Sequence, residues 1–312
     1  RHHHRRPPPK AAAVAEHRFR VMGSQAHVVV VAGPTLVEYA VRRLQELEAA
    51  WTRFRPTSEV SRLNASAGRT VSVSAETYAL VARSIDGWRL TEGRFDPTVL
   101  DSIVAAGYDR PLDREGRCGD AHPGARPSPG CGDIHLDPDN RTVTLPAGTR
   151  IDPGGIGKGL AADIVAVELL ERGVGGALVN IGGDLRAVGS PPTDQGWIVA
   201  VKDPFVSTGT IALARLDEGA VATSTPDHRR WRTPDGPGRH LIDPRTGSGA
   251  NTDVASATVL AAQAWMAEAF AKAAALVGFE RAVDLIDDAG LSGLVISDSA
   301  QLSLSARMGA FL

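Results

Sequence analysis

The sequence predicts an α+β fold. Segments with the helical period of apolar residues are interspersed with short apolar segments typical of strands. They do not follow the strict strand–helix–strand alternation that a doubly wound parallel sheet requires. A chain of 312 residues can bury a sizeable core, and its 33 glycines and 20 prolines indicate many tight turns.

The N-terminus is predicted to be a disordered tail, residues 1–18, followed by a single domain over residues 19–312. The first ten residues, RHHHRRPPPK, are basic, and their three prolines are incompatible with a continuing helix. Three adjacent histidines are only weak evidence for a metal site. The tail lacks the apolar stretch of a signal peptide and no lipobox is present, so we expect a cytoplasmic protein.

The first elements of the domain are a strand and two helices. Residues 19–31, which include VMGSQAHVVVV, are predicted to form a strand that ends at a Gly-Pro turn. Residues 36–51 carry apolar side chains at helical spacing. Residues 75–90 are predicted to form a second helix, because Ser74 is a good N-cap and Glu76 lies in the first turn.

The middle of the chain is rich in turns. Residues 109–133 are polar, and we expect an irregular insertion there. Cys118 and Cys131 both lie in it and either remain free thiols or close a loop in an oxidising compartment. Two cysteines without a His/Cys pattern are poor evidence for zinc. Residues 134–136 and 142–145 are predicted to pair as a hairpin.

The second half of the chain supplies most of the predicted strands. Residues 160–172 form a helical pattern that Gly173 ends. The remaining elements are strands over 177–181, 197–201, 210–216 and 256–260, helices over 262–277 and 279–289, a strand in LSGLVIS, and a final strand near Leu302.

The charge balance excludes some classes of function. The net charge is −2, so there is no global positive field, and nucleic acid or an acidic membrane is not expected as the main partner. No run approaches the ~18–20 apolar residues that span a bilayer.

A glycine block before a helix is the first candidate binding motif. It reads Gly154-Gly155-Ile156-Gly157-Lys158-Gly159. Backbone N–H groups, a helix N-terminus and Lys158 together suit a phosphate or diphosphate. Because Gly159 stands where a P-loop needs Ser or Thr, the block is not a P-loop, and a simple tight turn is an equal alternative.

Further polar residues follow predicted strands. Gly182, Gly183 and Asp184 indicate either a ligand lying against backbone or a plain bend. The hydroxyls of Thr223 and Ser224 either donate to a phosphate or simply end a strand. His240, in the turn-forming segment HLIDPRTG, is either a general base or a surface histidine.

Glu268 and Lys272 lie at positions i and i+4 of the Ala-rich helix. This spacing is common for a helix-surface ion pair, worth roughly 0.2–0.5 kcal/mol. The functional alternative is that both side chains face a cleft formed by the glycine-rich loops.

Taken in order, several segments resemble the ApbE family of FAD:protein FMN transferases, over about residues 19–312. They are Met22-Gly23-Ser24, SEVSRLN, GRFDPT, IDPGGIGKGLAAD, ALVNIGGD, ATS, HLIDPRTG and AEAFAKAAALVG. The resemblance implies a two-lobed α+β fold with FAD in a cleft between the lobes, cleavage of FAD, transfer of FMN to a Thr or Ser of an acceptor protein, and release of AMP. The alternatives are an FAD-binding protein without transferase activity, an FAD pyrophosphatase, and a domain unrelated to flavins.

The resemblance also implies roles for particular residues. His240 would be the base or would position the acceptor hydroxyl. The residues that would border the flavin dinucleotide are Met22, Phe54, Arg94, Phe95, Asp96, Asp152, Lys158 and Ile242.

One departure from the family pattern concerns Mg²⁺. The family's late helix presents an Asp and, four residues on, a Thr as ligands, and a main-chain oxygen near Gly155 completes the set. Here those two positions are Glu268 and Lys272. A charged lysine has no acceptor and repels a divalent ion, so we hypothesise that Lys272 occupies the ion's position, pairs with Glu268 and neutralises the diphosphate. Thr225, where the family more often has Gly, is a second departure.

Overall fold

The structure is a computed structural model that describes residues 13–31, 34–111, 118–122, 124–226, 230–233 and 236–312. Residues 1–12 of the predicted tail and residues 112–117 and 123 of the predicted insertion therefore lie outside the described residues. In chain order the elements are β1 (Ala15–Val21), β2 (Ser24–Val30), α1 (Pro34–Trp51), α2 (Glu59–Ala65), β3 (Thr70–Ser72), α3 (Ala75–Leu90), α4 (Leu100–Ala105), β4 (His135–Asp137), β5 (Thr142–Thr144), α5 (Gly157–Glu171), β6 (Gly176–Ile181), β7 (Asp184–Gly189), β8 (Trp197–Lys202), β9 (Thr210–Leu216), β10 (Gly219–Ser224), β11 (Arg230–Thr233), β12 (Gly236–Arg239), β13 (Val254–Ala261), α6 (Ala264–Val277), α7 (Phe279–Asp288), β14 (Ser292–Ser297) and β15 (Leu302–Leu304). Three short 3-10 helices cover Pro97–Val99, Pro153–Gly155 and Met308–Ala310.

Eight strands form the central sheet, in the order β1-β2-β6-β7-β10-β13-β14-β15. Every neighbouring pair is antiparallel. The combination of helices with antiparallel sheets confirms the predicted α+β class. No described helix is long and apolar enough to cross a membrane.

The two faces of the sheet are covered differently. Helices α1, α5 and α6 pack on one face over a core that includes Leu44, Leu169 and Val179, and α7 extends this layer beside α6. The opposite face is covered by the β8–β9 hairpin, whose Trp197 and Leu216 pack against Leu185 and Leu294. Successive side chains of the central strands therefore point alternately into two cores, and β14 is buried at every position.

A smaller second lobe is built from α2, α3 and the sheet β3-β5-β4. Its core includes Leu63, Val81, Val143 and Leu145. Helix α3 also contacts α6, so the second lobe packs against the helical face of the central sheet. The loops that join α3 to α4, and β5 to α5, lie at this junction.

The N-terminal prediction was wrong in two respects. Residues 15–18, assigned to the tail, belong to β1, which pairs with β2 along its whole length. The single strand predicted over residues 19–31 is therefore a hairpin. Its two-residue turn has positive φ at both Met22 (50°) and Gly23 (66°), the geometry of a type I′ turn. The sequence did not predict this turn, because Met stands at its first position, where Asn, Asp or Gly is usual.

The insertion lacks regular structure where it is described. No helix or strand occurs in residues 109–111, 118–122 and 124–133. Cys118 and Cys131 are free thiols. Cys131 is buried, and burial raises the pKa of its thiol, with a smaller contribution from Asp96. A high thiol pKa makes this cysteine unreactive.

Candidate functional site

A cleft opens where the second lobe meets helix α6 and the loop after β12. Its empty volume is about 630 Å³, which includes the part open to solvent. The lining residues are Arg94, Phe95, Asp96, Val99, Ile103, Tyr108, Asp152, Gly154, Gly155, His240, Leu241, Ile242, Pro244, Lys272 and Leu276. Eight of the sequence-predicted site residues are therefore brought together: Arg94, Phe95, Asp96, Asp152, Gly155, His240, Ile242 and Lys272.

The wall formed by Arg94, Phe95 and Asp96 follows the end of α3. The Phe95 N–H donates to Thr91 Oγ1 at 3.0 Å, which fixes the chain as it leaves the helix. Asp96 Oδ1 accepts from both the N–H and the hydroxyl of Thr98, at 2.8 and 2.6 Å, and so caps the following 3-10 turn. Burial raises the pKa of Asp96, against these hydrogen bonds.

The glycine block serves close packing. None of its glycines has a φ in the left-handed region. A Cβ on Gly155 would lie 2.6 Å from the Phe95 ring, and one on Gly159 would lie 2.4 Å from the Ala264 carbonyl oxygen. Asp152 caps the turn by accepting from the Gly154 N–H at 3.2 Å. The block therefore brings Phe95 and α6 against the start of α5, and leaves Gly154 and Gly155 in the cleft wall.

Helices α5 and α6 supply N-terminal caps to each other. Asp163 of α5 accepts from the Ala264 and Trp265 N–H groups at the start of α6, both at 2.9 Å. Glu268 of α6 accepts from the Gly159 N–H in the first turn of α5 at 2.8 Å. Each carboxylate thus satisfies N–H groups that a helix leaves without an internal partner, and lies at a helix end that favours negative charge.

A network of four charged groups lies beside the cleft. Glu268 Oε1 is 2.9 Å from Lys272 Nζ and 3.4 Å from Lys158 Nζ. The Lys158 ammonium also pairs with Asp184. Burial alone would raise the pKa of Glu268, but the charges of Lys272 and Lys158 and the Gly159 hydrogen bond lower it to about 2. For Asp184, burial raises the pKa, against the attraction of Lys158. Lys272 is the member of the network that reaches the cleft wall.

Lys158 lies behind the cleft wall, next to two adjacent turns. Gly182 and Gly183 form a second two-residue turn with positive φ, 66° and 102°, between β6 and β7. The Gly182 N–H donates to Gln25 O at 2.8 Å, so this turn lies alongside the Met22-Gly23 turn. The positive φ values of a type I′ turn account for both glycines, and this is the bend that the sequence left open as an alternative to a ligand site.

The loop that carries His240 and Ile242 is braced by the insertion. Ser128 N donates to Pro244 O at 2.7 Å. A Cβ on Gly247 would lie 2.1 Å from the Arg126 carbonyl oxygen, so only glycine allows the two backbones to approach so closely. Within the loop, Ile242 and Gly249 form a β-bridge. The insertion therefore helps to hold His240 at the cleft.

The remaining predicted site residues do not line the cleft. Met22 donates its N–H to Glu48 Oε1 at 2.7 Å and packs against the main core. Thr223 and Thr258 share a hydroxyl–hydroxyl hydrogen bond of 2.9 Å across β10 and β13, and Ser224 is buried in β10.

Phe54 does not line the cleft either, but its ring contacts the ring of Tyr108 edge-on, with centroids 5.6 Å apart. Phe54 thus supports a residue of the cleft wall.

Arg53 and Tyr108 were missed by sequence reasoning. The Arg53 guanidinium lies 4.3 Å from the Phe54 ring centroid and 4.7 Å from that of Tyr108. Its Nη2 donates to Tyr108 O at 2.7 Å, and its Nε lies 3.5 Å from Asp152 Oδ1. Neither residue carries a local signal: Arg53 directly precedes an FRP segment, and Tyr108 lies at the edge of an insertion. Their roles arise from contacts across 55 residues of chain.

Comparisons with known proteins agree with this architecture. The ApbE family model matches residues 22–295. An FAD:protein FMN transferase of Vibrio cholerae is 30% identical over 252 residues, covering 77% of this chain and 72% of that protein. One of Treponema pallidum is 28% identical over 285 residues, covering 84% and 77%.

Solved structures with the same fold include the ApbE protein of Thermotoga maritima, with a TM-score of 0.85 and 26% identity over 96% of this chain and 99% of that one. The flavin transferase ApbE of Vibrio cholerae has a TM-score of 0.78 and 25% identity over 96% of this chain and 100% of that one. The fold, the cleft and the extent of the match lead to one conclusion: this chain belongs to the ApbE family.

Proposed function

We propose that this protein is an FAD:protein FMN transferase, which moves FMN from FAD to a threonine or serine of an acceptor protein and releases AMP. The observation that carries the proposal is the cleft of an ApbE-family chain in which His240 and Lys272 share a wall with Arg94 and the Gly154-Gly155 backbone. Curated relatives along most of the chain bear this activity in their names.

The composition of the cleft suits a flavin dinucleotide. Phe95, Val99, Ile103 and Ile242 supply an apolar surface for a flat ring system. Arg94 and Lys272 supply positive charge for a diphosphate. Phosphoryl transfer depends mainly on positioning and on charge stabilisation, and this lining offers both.

The reaction we propose balances as a single displacement. The acceptor hydroxyl oxygen forms a bond to the phosphorus of the FMN half. The bond between that phosphorus and the bridging oxygen breaks, and the bridging oxygen leaves as part of AMP. The hydroxyl proton passes to His240 and then to AMP or solvent. A neutral imidazole can take up such a proton near neutral pH, which makes His240 the candidate base.

The resemblance to the family implies Mg²⁺, but the residues present do not fit this ion. Glu268 Oε2 accepts from Gly159 N–H, and Oε1 lies against two ammonium groups. At ~4 Å and an effective dielectric of ~20, one ammonium repels a divalent ion by roughly 8 kcal/mol. The proposed reaction therefore contains no metal-bound step.

A second candidate is an FAD-binding protein that does not transfer flavin. The specific observation in its favour is the Lys272–Glu268 pair, because it stands where the family resemblance implies a catalytic ion. An FAD pyrophosphatase is the third candidate, since water could replace the acceptor hydroxyl. The acceptor protein and the cytoplasmic location expected from the sequence stay predictions.

One experiment separates these candidates. The protein is incubated with FAD and an acceptor protein on which the Vibrio cholerae relative acts, and the products are analysed by chromatography and in-gel flavin fluorescence. Transferase activity gives AMP and a fluorescent acceptor band; pyrophosphatase activity gives AMP and free FMN; a binding protein leaves FAD intact. His240→Asn should abolish the fluorescent band and retain FAD binding, whereas His135→Asn, at an exposed strand position, should change neither. If His240→Asn forms the fluorescent acceptor at the wild-type rate, His240 is not the base.

A further inference from the structure

The charged network beside the cleft alternates in sign along its length. Asp184, Lys158, Glu268 and Lys272 follow one another, and each contacts the next. The two carboxylate side chains are almost fully buried, with exposures of 2% and 1%, and the two lysine side chains retain 19% and 15%. Buried carboxylates of this kind are stable as anions only when paired and hydrogen-bonded, as these are.

Lys272 is the end of the network that faces the site. It lines the cleft together with Arg94, Asp152 and His240, whereas Glu268 and Lys158 do not line it. An ammonium has three donors, and Glu268 Oε1 accepts one of them. Lys272 is therefore held in place from behind by Glu268 and has donor capacity for a ligand in the cleft.

The residue type at position 272 supports a role for this side chain in the cleft. The chain has only four lysines among its 34 basic residues, and two of them lie against Glu268. An ammonium is a compact, strongly hydrated point charge, whereas guanidinium is a planar fork. A compact cation between a buried carboxylate and a cleft fills the position that a small metal ion would otherwise take.

We propose that Lys272 binds the diphosphate of the dinucleotide directly and that the site works without a divalent metal ion. This inference rests on the proposed function and specifies its requirement for cations. Glu268 is then a positioning residue, which orients Lys272 from α6 and ties α6 to the start of α5 through Gly159 N–H.

The charges around the cleft explain why Lys272 is needed. Asp152 lies close to Arg53, and Asp184 is paired with Lys158. Without Lys272, the cationic partner left to Glu268 among the described residues would be the more distant Lys158, and the carboxylate would repel a diphosphate. A loss of affinity on removal of Lys272 has two sources, namely a lost direct contact and an exposed carboxylate, and the test must separate them.

The test measures dissociation constants for FAD and riboflavin by flavin fluorescence. Wild-type protein should bind FAD equally, within about twofold, in excess EDTA and in excess MgCl₂. Lys272→Met should weaken FAD binding by about tenfold or more, the loss expected for a charge-assisted hydrogen bond, and leave riboflavin binding unchanged. The matched control is Lys202→Met, at an exposed position of β8, which should bind both ligands as the wild type does.

The double variant Glu268→Gln/Lys272→Met separates the two sources of lost affinity. If Lys272 contacts the diphosphate, FAD binding stays weak, because removing the carboxylate does not replace the contact. Restoration of wild-type FAD affinity in the double variant would overturn the direct contact. Should Lys272→Met fail to fold by circular dichroism, Lys272→Gln is the second neutral variant, with the same expected loss.

Two further measurements test whether the site requires a metal ion. Calorimetry should detect no binding of Mg²⁺ to the protein alone, and AMP release should be the same in EDTA and in MgCl₂. FAD binding or AMP release that requires Mg²⁺ would overturn the inference and leave the proposed function intact. A folded protein that binds no FAD under either condition would instead overturn the proposed function, and this inference with it.

Discussion

Asp163 and Glu268 cap each other's helices. Asp163 lies on α5 and accepts from two N–H groups of α6, at 2.9 Å each, and Glu268 lies on α6 and accepts from Gly159 of α5 at 2.8 Å. Two long-range contacts therefore fix the position of α6 along α5. Because Lys272 is one turn beyond Glu268, the same contacts determine where its ammonium meets the cleft.

Asp163→Asn should remove a pH dependence from the stability of the protein. Burial is the main cause that raises the pKa of Asp163 from 3.8 to about 6, against its backbone hydrogen bonds. The folded state therefore binds a proton that the unfolded state has lost, and the wild-type free energy of unfolding falls as pH rises from about 4 to about 6. Urea unfolding should show a slope in this window that Asp163→Asn lacks. Parallel profiles for the two proteins would contradict the raised pKa.

Glu268→Gln should change acid stability in the opposite direction. The pKa of Glu268 is lowered to about 2, because the neighbouring ammonium groups outweigh the effect of burial. Its contribution to stability is fully present above the unfolded pKa of 4.5 and is lost as pH falls towards 2. The difference in free energy of unfolding between wild type and Glu268→Gln should therefore be largest near neutral pH and shrink below pH 4.5. A difference that grows on acidification would exclude this ion pairing.

Gly159→Ala should destabilise the protein by forcing α5 and α6 apart. The added Cβ would lie 2.4 Å from the Ala264 carbonyl oxygen, and backbone atoms cannot yield as a flexible side chain can. A loss of about 1–3 kcal/mol is typical of such overpacking. The control is Gly309→Ala, where a Cβ meets no atom within 4 Å. Denaturant unfolding measures both, and equal free energies of unfolding would contradict the close approach.

Local sequence patterns predicted the long helices well. Helix α3 begins and ends where Ser74 and the apolar spacing place it, and α6 and α7 differ from prediction by one or two residues. These helices could be predicted because their caps and their apolar periodicity depend on residues that are only a few positions apart. Helix α2 was not predicted, although Ser58 caps it by accepting from the Ser61 N–H at 3.0 Å. Its seven residues are too few to show the helical repeat of apolar side chains.

The sequence predicted which segments form the site, but it did not predict which side chains contact one another there. The Glu268–Lys272 pair follows from helical spacing alone. Its burial beneath the cleft follows from Gly159 packing on α6, a contact across 109 residues of chain. Likewise, the glycines at 155 and 182 suggested a ligand against backbone, whereas packing of Phe95 and a type I′ turn account for them. Such causes lie in tertiary structure and leave no local signature.

Arg53→Lys should weaken FAD binding through Tyr108. The guanidinium lies over the rings of both Phe54 and Tyr108 and donates to Tyr108 O at 2.7 Å, so it holds Tyr108 in the cleft wall. A lysine keeps the charge and loses the planar stacking and the fork of donors. We expect the dissociation constant for FAD to rise by roughly three- to tenfold, with cation–π and hydrogen-bond losses of about 1 kcal/mol.

The matched control for Arg53→Lys is Arg55→Lys, since Arg55 is exposed two residues along the same segment. Riboflavin and AMP, titrated separately, report which half of the dinucleotide Tyr108 contacts. A loss confined to riboflavin places the ring system at Tyr108, and a loss confined to AMP places the nucleotide there, because only the half in contact with that wall depends on its order. Unchanged affinity for FAD and for both fragments, in a variant with unchanged stability, would mean that Tyr108 keeps its position without Arg53 and that this stack has no part in binding.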